Sequence, residues 1–103
     1  MASSRSYLDF ILEQGDGSLS HRAMMGEYVL YYRGKVIGGI YDDRFLVKPV
    51  PSAMEMMPDA IRERPYEGAG EMLLVDNVED REFLRELFEA MYDELPAGKK
   101  ARR

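Results

Sequence analysis

The sequence predicts a small α+β domain, with a mainly antiparallel sheet and helices gathered on one side of it. Residues 22–48 pack three short extended segments between glycine and aspartate turns, which is typical of an antiparallel meander. Amphipathic helical patterns lie near both ends of the chain. This mixed order of helix, three or four strands, short helix, strand and helix favours helices packed on one face of the sheet.

The first half of the chain begins with a predicted helix, capped by Ser3 or Ser4 and ended by the glycines of 15–17. A polar loop that includes His21 leads into the meander. Strands are predicted over 22–25, 27–33, 36–41 and 45–48. Arg33-Gly34-Lys35 predicts a tight hairpin because glycine readily adopts positive φ, and 42–44 predicts the next turn.

The second half begins with prolines at 49 and 51, which end the fourth strand. A short helix capped by Ser52 follows, and residues 58–70 form a long connection. The pattern does not decide whether this connection contains an extended piece near Tyr66. Residues 71–76 predict a strand. The last helix follows a cap at Asp76 or Asn77. Its apolar stripe contains Phe83, Leu84, Leu87, Phe88 and Met91.

The two faces of the predicted meander are both rather apolar. Because side chains alternate along a strand, Tyr28, Leu30 and Tyr32 point to one side. Val29 and Tyr31 then point to the other side. A meander normally exposes one polar face, so something is expected to cover the second face as well. We therefore expect a self-associating domain, most simply a homodimer.

The chain of 103 residues is long enough for one hydrophobic core, which predicts a single domain over 1–96 and a basic, disordered tail over 97–103. No apolar run reaches the roughly 18 residues that a membrane span needs, and no secretion signal is visible at the start. Cysteine is absent, which excludes disulfides and thiolate chemistry. We expect a cytoplasmic protein.

Catalytic and metal-binding patterns are not found. His21 has no partner at the spacing of a metal site or a catalytic triad, and no glycine-rich phosphate loop leads from a strand into a helix. The sequence therefore predicts a protein that is not an enzyme and needs no metal or cofactor. Gly38-Gly39 in mid-strand predicts a kink or close packing in preference to a ligand site.

Two sets of residues are candidates for binding. For a protein partner they are Met54, Met56 and Met57 on the short helix, with plain core filling as the alternative, and the tyrosines Tyr31 and Tyr41. For a nucleic acid they are basic residues beside the sheet tyrosines and in the tail: Arg33, Lys35, Arg44, Lys48, Lys99, Lys100, Arg102 and Arg103. The formal net charge of −5 disfavours nucleic acid, since binding it depends on neutralising phosphates.

Several segments, taken in order, resemble the TfoX N-terminal domain family: YLDF at 7–10, MMGEY at 24–28 with LYY at 30–32, GGIYDD at 38–43 with LVK at 46–48, and PY at 65–66 ahead of ML at 72–73. The resemblance covers nearly the whole chain. It implies an α-β(3)-α-β(2)-α order with a secretion-chaperone-like arrangement, and therefore one more strand within 58–76.

The same resemblance implies a bacterial regulatory or protein-interaction domain. Longer members regulate natural competence, but they carry an additional helical C-terminal domain that this sequence does not show, so regulator activity is not carried over. No catalytic residues of the family map onto this chain. The main hypothesis is a non-enzymatic interaction domain that forms a homodimer and binds an unidentified protein, and the alternative is a nucleic-acid-associated regulator.

Overall fold

The computed structural model describes residues 4–15 and 17–96. Three helices and six strands follow one another as α1 (Arg5–Gln14), β1 (Leu19–Met24), β2 (Glu27–Tyr32), β3 (Lys35–Tyr41), β4 (Arg44–Val47), α2 (Pro51–Met56), β5 (Arg62–Glu63), β6 (Met72–Val75) and α3 (Arg81–Tyr92). The strands form one sheet in the order β1-β2-β3-β4-β6-β5, with every neighbouring pair antiparallel. The predicted α+β class is confirmed.

The first run of strands contains four members, whereas the family resemblance implies three. Strand β1 pairs with β2 along its whole length, from Leu19 opposite Tyr32 to Met24 opposite Glu27. The prediction that His21 lies in a loop is therefore wrong, because its backbone belongs to this ladder. The additional strand implied within 58–76 is confirmed as β5, which pairs with β6.

The three hairpins of the meander share one kind of turn. Their central residues all have positive φ: Met25 and Gly26, Arg33 and Gly34, and Asp42 and Asp43. Positive φ at both central positions is the requirement of a type I′ turn, whose twist matches that of the flanking strands. The hairpins predicted at Arg33-Gly34 and Asp42-Asp43 are confirmed. Met25 differs from the others in being a large apolar residue at such a position.

All three helices pack on one face of the sheet. Leu8 and Ile11 of α1, Ala53 of α2 and the stripe of α3 join a single core with side chains of β2, β3, β4 and β6. The largest fully buried side chains include Phe45 and Phe88, whose ring centroids lie 6.1 Å apart. Helix α3 contacts both α1 and α2, so it lies centrally over the sheet.

Two of the predicted helix caps are wrong. Helix α2 begins at Pro51, directly after Val50, so Ser52 lies inside the helix, where its amide and its hydroxyl both donate to the carboxylate of Glu94. Helix α3 is capped by Asp80, whose Oδ1 accepts from the amide of Phe83 at 3.1 Å. The predicted caps, Asp76 and Asn77, lie ahead of the helix, where a turn follows in which the Asp80 amide donates to the Asn77 carbonyl. The cap of α1 at Ser4 is confirmed.

The glycine pair at 38–39 lies where strands approach closely. A Cβ on Gly38 would lie 2.7 Å from Val47 Cα, and one on Gly39 would lie 2.6 Å from the Tyr28 carbonyl oxygen. A register shift between β2 and β3 falls beside this pair, between Leu30 and Tyr31. The close packing predicted for these glycines is confirmed.

Within the part of the chain that the structure describes, none of the helices has the length and apolar character required to cross a bilayer. The predicted basic tail over 97–103 lies outside the described residues.

Candidate interaction surface

The face of the sheet turned away from the helices is called here the second sheet face. Strand alternation places on it Val29, Tyr31, Tyr41, Leu46 and Leu74. Tyr41 and Leu46 are buried although neither belongs to the core beneath the helices. Something other than a helix therefore covers this part of the second sheet face.

The cover over Tyr41 is the loop of residues 64–71, between β5 and β6. The ring of Tyr66 meets the ring of Tyr41 edge to face, with centroids 6.3 Å apart. Inside the loop, Arg64 Nη1 donates to the Ala69 carbonyl at 2.7 Å, and the Ala69 amide donates to the Tyr66 carbonyl at 3.1 Å. The loop is thus closed on itself and seated on β3, and the expected covering of this face is supplied partly from within the chain.

The start of this loop is tied to the sheet by an ion pair. Arg44 of β4 pairs with Glu63 of β5, and Arg44 Nε also donates to the Tyr41 carbonyl at 3.0 Å. Both charged side chains are about two-thirds buried or more, with 32% and 26% of their surface exposed. The ion pair therefore fixes the chain where it leaves the sheet to cross the second sheet face.

An open groove of about 420 Å³ remains between the loop and the strands, and it is called here the second-face groove. Most of its walls are apolar. They are formed by Met24, Val29, Val36, Gly38, Tyr41, Lys48, Pro49, Pro65, Tyr66, Ala69, Gly70, Glu71 and Met72. A concave apolar surface with a few charged side chains at its edges is typical of a binding site for a ligand or a protein side chain.

Of the two tyrosines that line this groove, Tyr41 stays neutral well into the alkaline range. Burial raises the pKa of Tyr41 above its ordinary value, and the neighbouring Tyr66 and Glu27 raise it further. The phenol therefore contributes an uncharged ring to the groove wall at physiological pH. The electrostatic character of the groove depends instead on Lys48 and Glu71.

Beyond the loop, the second sheet face is less protected towards β1. Val29 and Tyr31 are half-buried, while five of the six residues of β1 are exposed. At the tip of the β1–β2 hairpin, Met24 is 41% exposed and Met25 is 96% exposed. The groove thus opens beside an exposed apolar hairpin tip.

The five residues predicted to bind a protein partner do not form one site. Tyr41 lines the second-face groove, and Tyr31 lies on the same face. Met54, Met56 and Met57 are half-buried on the opposite face, where they pack against the helix-side core. The geometry of the methionine cluster matches the alternative of core filling.

The basic residues predicted for nucleic-acid binding are also dispersed. Arg33 and Lys35 lie at the β2–β3 hairpin, and both face the ring of Tyr92. Arg44 is held by Glu63, and Lys48 edges the second-face groove. Lys99, Lys100, Arg102 and Arg103 lie outside the described residues. Nucleic-acid binding stays a prediction, without a gathered basic patch among residues 4–15 and 17–96.

A second, more polar cleft of about 310 Å³ lies where α1 ends beside α3. There the Tyr32 hydroxyl donates to Glu89 Oε1 at 2.7 Å, and Arg33 Nη2 lies 3.6 Å from the same oxygen. Burial raises the pKa of Tyr32, and its hydrogen bond to Glu89 adds to the rise. These contacts hold the hairpin against α3 and present no positioned nucleophile.

Groups with metal-binding or catalytic geometry are not found in the described part of the chain. It contains no cluster of three His, Cys, Asp or Glu side chains able to hold a metal ion. His21 is exposed on β1, and its ring meets the ring of Tyr28 at 5.9 Å. His21 therefore takes part in a surface aromatic contact.

Sequence reasoning missed most of the groove. Met24, Val29, Val36 and Met72 lie on four strands, and Tyr66 lies on the loop that covers them. Alternation in β2 indicated that the second face is apolar, which was the usable signal. No local pattern indicated that 64–71 would fold back over Tyr41, because that contact depends on where β5 and β6 join the sheet.

The chain is 34% identical over 102 residues to an uncharacterized 12.7 kDa protein encoded in the trpE 5′ region of Spirochaeta aurantia. The matched region covers 96% of this chain and 89% of that relative. No family model matches the chain. No solved structure matches it either.

Proposed function

The chain belongs to the same family as the 12.7 kDa Spirochaeta aurantia protein, and we propose that it is a non-enzymatic bacterial interaction domain that forms a homodimer through its second sheet face. The cytoplasm is the proposed location. The observation that carries the proposal is the open apolar second-face groove beside the exposed tip of the β1–β2 hairpin.

The physical support comes from incomplete burial. The loop 64–71 shelters Tyr41, yet the strands towards β1 leave Val29, Tyr31 and Met24 partly exposed on the same face. Removing apolar surface from water is favourable by roughly 25 cal/mol per Å². A complex in which a partner covers this face is therefore stabilised by the apolar area that it buries. A second copy supplies an equally apolar surface.

The resemblance to the TfoX N-terminal domain supports the class of function. The order of helix, strands, helix, strands and helix agrees with it, although the first run holds four strands. Five of the segments that carry the resemblance, at 24–28, 38–43, 46–48, 65–66 and 72–73, contribute residues to the second-face groove. We therefore propose a regulatory or protein-interaction role, by analogy with that family.

The test is the molar mass in solution across a micromolar concentration range, by size exclusion with light scattering. We expect a mass of twice 11.9 kDa at the higher concentrations. Val36→Glu places a charge in the groove wall and is expected to give a folded monomer. Ala90→Glu places the same charge on the exposed surface of α3 and is expected to remain a dimer.

A wild-type protein that stays monomeric at every concentration would rule out the homodimer. Equal loss of association in both charged variants would show that the contact does not depend on the second sheet face. Circular dichroism on each variant separates loss of association from loss of folding.

A further inference from the structure

Met25 occupies a position that is unfavourable for an isolated molecule. Its side chain is 96% exposed and its φ is +53°, a backbone conformation that glycine, asparagine and aspartate adopt more readily than methionine does. The corresponding positions of the other two hairpins hold Arg33 and Asp42, which are polar. An apolar side chain kept in solvent on a strained turn points to a role in contacts with another molecule.

We propose that Met25 of one copy inserts into the second-face groove of a second copy of this chain. This inference rests on the proposed function and names the contact that forms the dimer. Methionine is unbranched and flexible, so it fills irregular apolar spaces, and its sulfur packs favourably against aromatic rings. The groove offers the rings of Tyr41 and Tyr66 together with the side chain of Met72.

One pair of opposite charges lies at the hairpin and the groove, whose other charged lining residue is Lys48. Arg22 is exposed on β1, three residues before Met25, and Glu71 is exposed at the edge of the groove. Neither side chain has an ion-pair partner within the described residues. When Met25 enters the groove of the second copy, Arg22 is carried towards Glu71 of that copy.

The position of the hairpin allows the contact to close symmetrically. Met24 lines the groove of its own copy, and Met25 is its neighbour in the chain. A twofold axis close to Met24 therefore places each Met25 in the groove of the other copy at the same time. Such an isologous contact ends at the dimer, whereas a head-to-tail arrangement of the same surfaces continues into filaments.

The experiment compares Met25→Asn with the wild-type protein by sedimentation equilibrium. Asparagine accepts positive φ, so the variant monomer is expected to be at least as resistant to urea as the wild-type monomer. Its dimer dissociation constant is expected to rise at least tenfold because the inserted side chain is lost. The matched control is Phe10→Asn, which removes another exposed apolar side chain, 38% exposed and on α1, away from the second sheet face, and is expected to leave the dissociation constant unchanged.

A charge exchange tests the pairing of Arg22 with Glu71. Arg22→Glu and Glu71→Arg are each expected to weaken the dimer, and the double variant is expected to recover the wild-type dissociation constant within about threefold. Recovery supports the insertion, because the two residues lie at the hairpin and the groove. Absence of recovery would overturn the proposed contact.

The remaining outcomes separate the two proposals. A wild-type monomer would overturn both. A wild-type dimer whose dissociation constant is unchanged by Met25→Asn would overturn the insertion and leave the homodimer in place. Growth of the wild-type protein into filaments would overturn the closed twofold arrangement.

Discussion

The two faces of the sheet are covered by different means. On the helix side, three helices bury a continuous core in which Phe45 and Phe88 are almost wholly inaccessible to water. On the second sheet face, Tyr41 is also buried, but a loop without helix or strand covers it. Beneath the loop, burial therefore resembles that on the helix side, although a different kind of structure produces it and the rest of the second sheet face is less well covered.

This difference separates stability from recognition. A helix that loses one contact is still held by its neighbours on the same stripe, whereas the loop 64–71 is held on the sheet by the contact of Tyr66 with Tyr41 and by its own internal hydrogen bonds. Loops of this kind open at lower free energy than packed cores. The helix side is expected to set the stability of the fold, and the second sheet face to remain available for association.

The largest effect is expected from truncation on the helix side. Phe88→Ala removes a ring that packs against both Phe45 and Tyr32, at 6.1 and 5.5 Å between centroids. The free energy of unfolding is expected to fall by about 3–5 kcal/mol, from the lost burial and the cavity left behind. Urea unfolding followed by circular dichroism measures it.

Phe10→Ala is the matched control for this prediction, since Phe10 lies on α1 and is 38% exposed. Its loss is expected to be about 1 kcal/mol or less, because surface truncations have small effects. Equal losses in the two variants would contradict the view that the helix side carries the stability.

A smaller effect is expected where the strands meet beneath the loop. In Gly39→Ala the new Cβ lies 2.6 Å from the Tyr28 carbonyl oxygen and 2.6 Å from an atom of the Tyr41 ring. Relieving these contacts requires a shift of a strand or of Tyr41, so the free energy of unfolding is expected to fall by about 1–3 kcal/mol. Urea unfolding measures the loss.

Gly70→Ala is the control, because a Cβ on Gly70 meets nothing within 4 Å. A change within about 0.5 kcal/mol is expected for it. If Gly39→Ala were as harmless as Gly70→Ala, the close contact of β3 with β2 and the Tyr41 ring would not constrain the sheet.

Removal of the loop anchor is expected to be milder still. Tyr66→Ala deletes the ring that meets Tyr41, and Tyr66 is 58% exposed, so the free energy of unfolding is expected to fall by about 1 kcal/mol. Hydrogen exchange of amides in 64–71 is expected to accelerate, while that of α3 stays unchanged. Faster exchange in α3 as well would show that the two faces are not independent.

The sequence predicted the helix side better than the second sheet face, and the reason is physical. The stripe of α3, from Phe83 to Met91, is a local repeat that identifies both the helix and its buried side. The alternation in β2 likewise identified an apolar second face. Patterns of this kind depend only on neighbours in the chain.

Features that depend on distant neighbours are not decided by local patterns. Serine is a residue type that commonly caps helices, yet the hydroxyl of Ser52 donates to the carboxylate of Glu94, which lies 42 residues away. The methionines at 54, 56 and 57 gave no local signal of the face on which they lie. Their place in the helix-side core is decided by the packing of α2 on α3.

The last and smallest effect concerns pH. Burial raises the pKa of Tyr41 in the folded protein above the ordinary value of 10.0. The unfolded chain therefore releases this proton first as the pH rises, so the stability that the neutral phenol contributes is complete below about pH 10 and is lost as the pH rises through the folded-state pKa. The pKa values of Tyr7 and Tyr32 on the helix side are raised in the same way and add to the loss.

Tyr41→Phe is expected to make the decline of the urea midpoint above pH 10 shallower without abolishing it. The same two proteins at pH 7, where the phenol is neutral in both states, provide the reference. Parallel curves up to pH 11 would mean that water reaches Tyr41, and that the loop covers the second sheet face less tightly than the helices cover the other.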